Sequence, residues 1–174
     1  MSAKQEFYHL MLIETTEQIT CLAELAVEIW TEHYNGIIGA EQTSYMLSRF
    51  QSADAIAKDI REKGYRYTVV EAAGRWLGYS ATVIQNNKVL FLSKLYVHKE
   101  SRGLGGALFN DAVAQARNAG CESIQLTVNR NNSDSIAVYK HLGCKVIREQ
   151  RADIGNGYYM DDYVFSWPVN QFSE

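Results

Sequence analysis

The chain has 174 residues, 47% of them hydrophobic, with 17 Lys and Arg against 20 Asp and Glu, for a net charge of −3 at pH 7. That length suits one domain with a sizeable core, so a single domain over residues 1–174 is expected. The acidic balance and a pI near 5.8 exclude the basic excess of a typical nucleic-acid binder, and no window approaches the ~20 apolar residues of a membrane span.

The opening MSAKQEFYHLMLIETT has neither a long apolar core nor a small-residue cleavage site, so no signal peptide is expected. Residues 7–14, FYHLMLIE, read as a strand. Thr15 or Thr16 then caps a helix on which Ile19, Leu22, Leu25, Ala26 and Ile29 make one apolar stripe, broken at Gly36 and Gly39. EQTSYMLSRF and, after a Ser52 cap, ADAIAKDIREK read as two shorter helices, the second ended by Gly64. An antiparallel meander follows: YRYTVVEA, a turn at AGR, WLGYSATVIQ, a turn at NN, and KVLFLSKLYV. Thereafter come helix (GLGGALFNDAVAQARNA), strand (SIQLTVN), helix (SDSIAVYKHL), strand (CKVIREQ) and a hairpin turning at GNG into YYMDDYVFSW. The class is α/β (α+β): a mainly antiparallel mixed sheet with a central parallel strand pair and helices on both faces. Cys21, Cys121 and Cys144 are scattered and form no CxxC pair, so neither a disulfide framework nor a metal site is expected; buried packing in a reducing cytosol fits them best.

Residues 98–108, HKESRGLGGAL, pose the functional question. Glycines open a helix there, although each costs about 0.5–1 kcal/mol against Ala. A strand running into a Gly-rich turn and a helix aims unpaired backbone N–H groups at an anion, and Arg102 adds a positive fork. A phosphate-bearing ligand is therefore expected at Gly103, Leu104, Gly105, Gly106 and Ala107. The stretch lacks the Gly-Lys-Ser/Thr of a nucleotide P-loop and the final glycine of a dinucleotide fingerprint. The bland alternative is glycines that merely permit close helix–strand packing.

Arg102-x-x-Gly105-x-Ala107 resembles the Arg/Gln-x-x-Gly-x-Gly/Ala motif of the Gcn5-related N-acetyltransferases, the GNAT superfamily. LYV before it and LTVNRNNSDSIAVYKHLGCKV after it resemble that family's segments in order and spacing, over roughly residues 65–150. The resemblance implies a GNAT-like domain that uses acetyl-CoA as co-substrate. The strand holding Leu95, Tyr96 and Val97 would splay from its neighbour and pair with the pantetheine arm, and the amides from Arg102 to Ala107 would cradle the pyrophosphate. Asn132 would fix the cofactor arm, and Tyr139 would lie near the sulfur. Two positions depart from the pattern: Ser135, a cofactor-site position where alanine is common, and Cys144, where phenylalanine usually follows the glycine. Read from position alone, Tyr139 serves packing or catalysis equally well; the resemblance favours catalysis, with the hydroxyl donating to the departing thiolate.

A lysine-like amine has a pKa near 10.4, so roughly 1 in 2,500 is uncharged at pH 7. A base or a chain of waters must take the proton. Family members often use an acid on the central strands, but FLSKLYV has none, which leaves His98, His33, Asp161, Asp162 and water as candidates. The family's acceptor walls correspond here to IWTEHYNGIIG and DIGNGYYMDDYVFSW, which supply Trp30, His33 and Tyr34 from one side and Tyr159, Asp161 and Asp162 from the other. Strand alternation puts the two aspartates on opposite faces, so one of them, Asp161 in this reading, faces the acceptor. Acid beside aromatics suits a cationic amine; core aromatics plus a solvated hairpin is the rival reading.

The same two regions are similar to a bacterial branch, the PaiA-type polyamine acetyltransferases. A polyamine or another small primary amine is the leading acceptor, in a cytoplasmic enzyme with no nucleic-acid or membrane partner. Dimers are frequent in the family, and by analogy a homodimer is envisaged. Acetylation of protein N-termini, lysines or an aminoglycoside, and a non-catalytic acetyl-CoA-binding regulator, are the alternatives.

Overall fold

The computed structural model describes residues 7–101 and 103–170. The elements are β1 (Tyr8–Leu12), α1 (Thr16–Ile38), α2 (Ala40–Phe50), α3 (Ala53–Lys63), β2 (Arg66–Ala72), β3 (Arg75–Gln85), β4 (Val89–Val97), a 3-10 turn (Lys99–Ser101), α4 (Leu104–Asn118), β5 (Ser123–Asn129), α5 (Ser133–His141), β6 (Lys145–Gly155) and β7 (Tyr158–Pro168). The strands form a seven-stranded sheet in the order β1-β2-β3-β4-β5-β7-β6. β4 and β5 run parallel, as the strand-helix-strand passage predicts, whereas β1–β2, β5–β7 and β6–β7 are antiparallel. The chain groups into two compact units, one of the described residues up to Ala81 with Lys94–Asn110, the other of Thr82–Ser93 with the described residues from Asp111 onward.

In the first unit α1 starts on a capping box: Thr15 accepts from the Gln18 N–H while the Gln18 side chain accepts from the Thr15 N–H. Its predicted stripe, Ile19, Leu22, Leu25, Ala26 and Ile29, packs with Ile56 of α3, Tyr67 and Val69 of β2, and Tyr79 and Ala81 of β3. Cys21 lies off that stripe and is exposed, contrary to the expected burial; Cys121 and Cys144 are buried. The expected break at Gly36 does not occur. The helix tolerates one glycine at about 1 kcal/mol and ends only at Gly39, whose φ of +85° leaves the helical region. Ser52 caps α3 by accepting from Ala55 N–H, and Gly64 closes it in the left-handed conformation.

The turn between β3 and β4 also differs from expectation. The positive φ falls on Lys88, at +57°, rather than on the asparagine pair, because the loop is three residues long and ends on a left-handed position.

In the second unit, Ile124, Leu126 and Val128 of β5 are buried and stand opposite Trp167, Phe165 and Tyr163 of β7. α5 packs on this face: the Tyr139 ring lies 6.1 Å from that of Phe165, and the indole of Trp167 donates to the Leu142 carbonyl over 3.1 Å. β7 returns from β6 through Asn156 and Gly157, both at positive φ, the mirror-image turn that suits a tight hairpin.

Candidate active site

The end of β4 is held by a buried polar network in the first unit. Lys94 is only 7% exposed, and its ammonium has a partner for each N–H: the Phe50 carbonyl at 2.8 Å, the Tyr67 hydroxyl, and Asp59 Oδ2 at 3.5 Å. The Tyr67 hydroxyl donates to Asp59 Oδ2 over 2.7 Å, and Lys63 donates to Oδ1 over 2.9 Å. Burial pushes the Lys94 ammonium down to about 8, against the pull of the Asp59 charge. For Asp59 burial acts upward, but hydrogen bonds from Lys63 and Tyr67 and the Lys94 charge outweigh it and hold the carboxyl below its usual range. One buried strand residue thereby ties the elbow between α2 and α3 to β4.

Beyond Lys94, the side chains alternate. A Cβ at Gly105 would sit 3.5 Å from Leu95 Cδ2, so Leu95 faces the start of α4. Tyr96 faces an aromatic group, with ring centroids 5.2 Å from Trp30, 6.0 Å from Tyr34 and 5.5 Å from Tyr79. Trp30 stacks on Tyr34 at 4.4 Å. Trp30 is 2% exposed and offers a ligand little surface of its own, whereas Tyr34 and Tyr96 are half-buried. His33 Nε2 donates to the Val97 carbonyl over 2.8 Å. His98 is buried, with its ring nitrogens 3.4 Å from Glu28 and 3.6 Å from Glu32. Glu32 also accepts from the Lys99 N–H at 3.1 Å; burial raises its pKa, but this bond and the two histidines together keep it below the usual value.

Gly103 enters α4 at φ +102°, a conformation that glycine adopts without strain. A Cβ at Gly103 or Gly106 would meet nothing within 4 Å, so open space adjoins the first amides of the helix. Arg102 lies outside the described residues.

In the second unit Asn132 is the N-cap of α5, its side-chain oxygen accepting from the Ser135 N–H at 3.2 Å. Tyr139 is buried on the Phe165 face. Asp161 is half-buried and spends its charge on Arg130, whose Nε lies 3.0 Å away. Arg130 also donates to Glu149 at 3.1 Å and stacks over Tyr163. Asp162, named with Asp161 as a candidate base and as part of the acceptor wall, is the buried member of the pair.

A model of the acetyltransferase (GNAT) family matches residues 23–144. The chain belongs to this family. GNAT enzymes are acyltransferases, and acetyl-CoA is their acyl donor. The structure is similar to PaiA N-acetyltransferase of Thermoplasma acidophilum in complex with coenzyme A, at 20% identity and a TM-score of 0.77 over 93% of this chain and 99% of that one. It is also similar to the ribosomal-protein-S18-alanine N-acetyltransferase of Escherichia coli, at 18% identity and 0.66 over 94% of each. A third similar structure is YncA of Salmonella typhimurium with its cofactor acetyl-CoA, at 16% identity and 0.64 over 96% of each. No curated protein matches the chain by sequence.

The residues present fit the GNAT donor. Open space lies beside the first turn of α4, where the helix dipole favours phosphate, although the Gly106 N–H already donates to the Gly103 carbonyl over 3.2 Å. The parallel register of β4 with β5 comprises only Val89–Phe91 against Ser123–Gln125, and β4 continues to Val97. Two features escaped the sequence reading. Lys94 gave no sign that it would be buried, and Gly78 reads as an ordinary strand residue although a Cβ there would lie 2.7 Å from the Tyr96 carbonyl. Among the described residues, no helix is long and apolar enough to cross a membrane.

Proposed function

We propose that this enzyme transfers the acetyl group of acetyl-CoA to a primary amine of a small molecule, with a polyamine as the favoured acceptor, and that residues 1–174 act as one catalytic domain. The observation that carries the reading is the left-handed Gly103 leading into α4 with open space beside the first amides, in a chain of this family. Acetyl-CoA supplies the acyl group as a thioester. In this reading the amides of Gly103 to Ala107, with Arg102, hold the pyrophosphate, and the backbone of Leu95 to Val97 pairs with the pantetheine arm. The short register of β4 with β5 supports that pairing. Asn132 steadies the arm through its amide NH2, since its oxygen is used in capping α5, and Ser135 lies beside it on the first turn. The Tyr139 hydroxyl donates to the sulfur as the C–S bond breaks. Tyr34 and Tyr96 offer aromatic faces to a cationic acceptor, with His33 fixing the strand end. Free cysteines are in keeping with a reducing, cytoplasmic setting.

The test is acetyl-CoA-dependent thiol release over spermidine, spermine, putrescine, an aminoglycoside, free amino acids and short peptides. Fast release with a polyamine is expected, and Tyr139→Phe should lower kcat by about 10²-fold or more with little change in acetyl-CoA affinity. Release with the aminoglycoside or a peptide instead would move the acceptor class. Equal loss of affinity and turnover in Tyr139→Phe would remove the tyrosine from the chemistry.

A further inference from the structure

β6 ends the sheet on one side, and among the described residues no strand pairs with its rim facing away from β7. It runs for 11 residues, Lys145–Gly155, about twice the commonest strand length. Every residue from Lys145 to Glu149 is exposed, as are Arg151, Ala152 and Asp153. The strand is therefore open on both faces as well as along its rim. Val146 and Ile147 are 42% and 49% exposed, and Val138 and Leu142, just upstream, also lie in solvent. The ladder with β7 is irregular between Val146 and Arg148 and between Asp153 and Gly155, and regular from Arg148 to Asp153. A long edge with apolar side chains and no proline is a template for another strand.

We propose that the outer rim of β6 pairs antiparallel with β6 of a second copy of this chain, across a two-fold axis at Gln150. The inference stands independently of the acetyl-transfer reading. Symmetry and side-chain alternation restrict the register. Residues opposite one another point to the same face, so the axis must pass where one residue meets its own copy. Charge then selects among the residues. An axis at Arg148, Glu149 or Arg151 sets that charge against itself, which is unfavourable across a strand pair. An axis at Ile147 falls on the first irregularity, and one at Ala152 leaves Val146 and Ile147 unpaired. Gln150 is neutral and is the middle residue of β6, so the whole strand lies within the pairing. Glu149 then faces Arg151 of the second copy, and Arg151 faces its Glu149, giving two opposite-charge pairs. Arg148 meets Ala152, and Val146 meets Ile154, so no like charges oppose. Both charged side chains already sit on one face of β6: Glu149 Oε2 accepts from Arg130 over 3.1 Å, and Arg151 lies over the Tyr159 ring at 4.2 Å. A carboxylate has lone pairs for a second donor. The edge is complementary to itself.

The experiment weighs the full-length protein by sedimentation equilibrium at micromolar concentration, then locates the contact with single cysteines. These are placed in a Cys21→Ser background, because Cys21 is exposed. Wild type is expected to be a dimer. Gln150→Cys lies opposite its own copy, with Cα atoms about 4.5–5.5 Å apart, within disulfide reach, so mild oxidation should give a covalent dimer. Ala152→Cys is displaced from its copy by four residues, roughly 13 Å along the strand, and should stay unlinked. Arg151→Glu should weaken the dimer by about tenfold or more. Adding Glu149→Arg should restore it, because the pairs are then exchanged rather than lost. The two cysteine variants test the register even where a charge variant folds poorly. A wild type that is monomeric throughout this range would leave the edge to some other chain and overturn the proposal. So would a dimer that Arg151→Glu leaves intact, or one that Ala152→Cys links as readily as Gln150→Cys.

Discussion

His33 on α1 donates from Nε2 to the main-chain carbonyl of Val97, 2.8 Å away, and so ties the first helix to the last residue of β4. A hydrogen bond of this kind contributes about 0.5–1.5 kcal/mol net, and its loss strands the acceptor. His33→Ala should lower unfolding stability in urea by about 1 kcal/mol and raise the KM for acetyl-CoA several-fold, since Val97 ends the segment read as pairing with the pantetheine arm. Lower stability with an unchanged KM would make the tie structural only.

Gly78 has no room for a side chain. A Cβ there would lie 2.5 Å from Val97 Cγ1, 2.7 Å from the Tyr96 carbonyl oxygen and 3.0 Å from Val97 Cα. Two of those atoms are backbone and cannot swing aside, so Gly78→Ala must push β4 away from β3. The expected cost is about 1–3 kcal/mol, read as a lower urea midpoint. A neutral substitution would show that the strands are not held at this spacing in solution.

Lys94 makes stability depend on pH in the alkaline range. Its folded pKa, about 8, lies below the ordinary value of 10.5, so between those pH values the unfolded chain binds more protons than the native one. Stability from this group is present above 10.5, and it is lost as pH falls through about 8. Wild type should therefore gain stability across that window relative to Lys94→Met, which lacks the group. Asp59→Asn, which leaves the buried ammonium without its anion, should cost about 3–5 kcal/mol at pH 7. Parallel pH profiles of wild type and Lys94→Met would refute the coupling.

Asp162 acts in the acid range and with the same logic reversed. Its carboxyl is raised from 3.8 to about 6, so the native state binds more protons across that interval. The stability it lends is full below 3.8 and lost as pH rises through about 6. Asp162→Asn cannot ionise and should be more stable than wild type above pH 6, by roughly 1–2 kcal/mol, in thermal melts. A variant less stable than wild type at pH 8 would mean that the carboxylate has a partner in solution.

What the chain reveals without its fold is whatever depends on neighbours in sequence. The stripe from Ile19 to Ile29, the Thr15 and Ser52 caps, the turn at Asn156–Gly157 and the left-handed Gly103 before α4 all follow from helical and strand periods and from backbone sterics. The glycine-rich entry to α4 was legible for the same reason, being a local turn into a local helix. Two helix and turn details were not: Gly36 is passed over by α1, and Lys88 takes the left-handed position, because continuation of a helix and length of a hairpin answer to what packs around them.

Tertiary structure alone decided which polar residues were enclosed. Periodicity places Asp161 and Asp162 on opposite faces of β7, but only the pairing of β7 with β5 and β6 buries Asp162 and hands Asp161 to Arg130. Likewise Lys94 becomes a three-partner anchor only when Phe50, Asp59 and Tyr67, 44, 35 and 27 positions away, are folded against it. Gly78 is needed only because the Tyr96 carbonyl comes so near. Backbone preference is set within a few residues, whereas the desolvation of a charge, and the partner that compensates it, are properties of the assembled sheet.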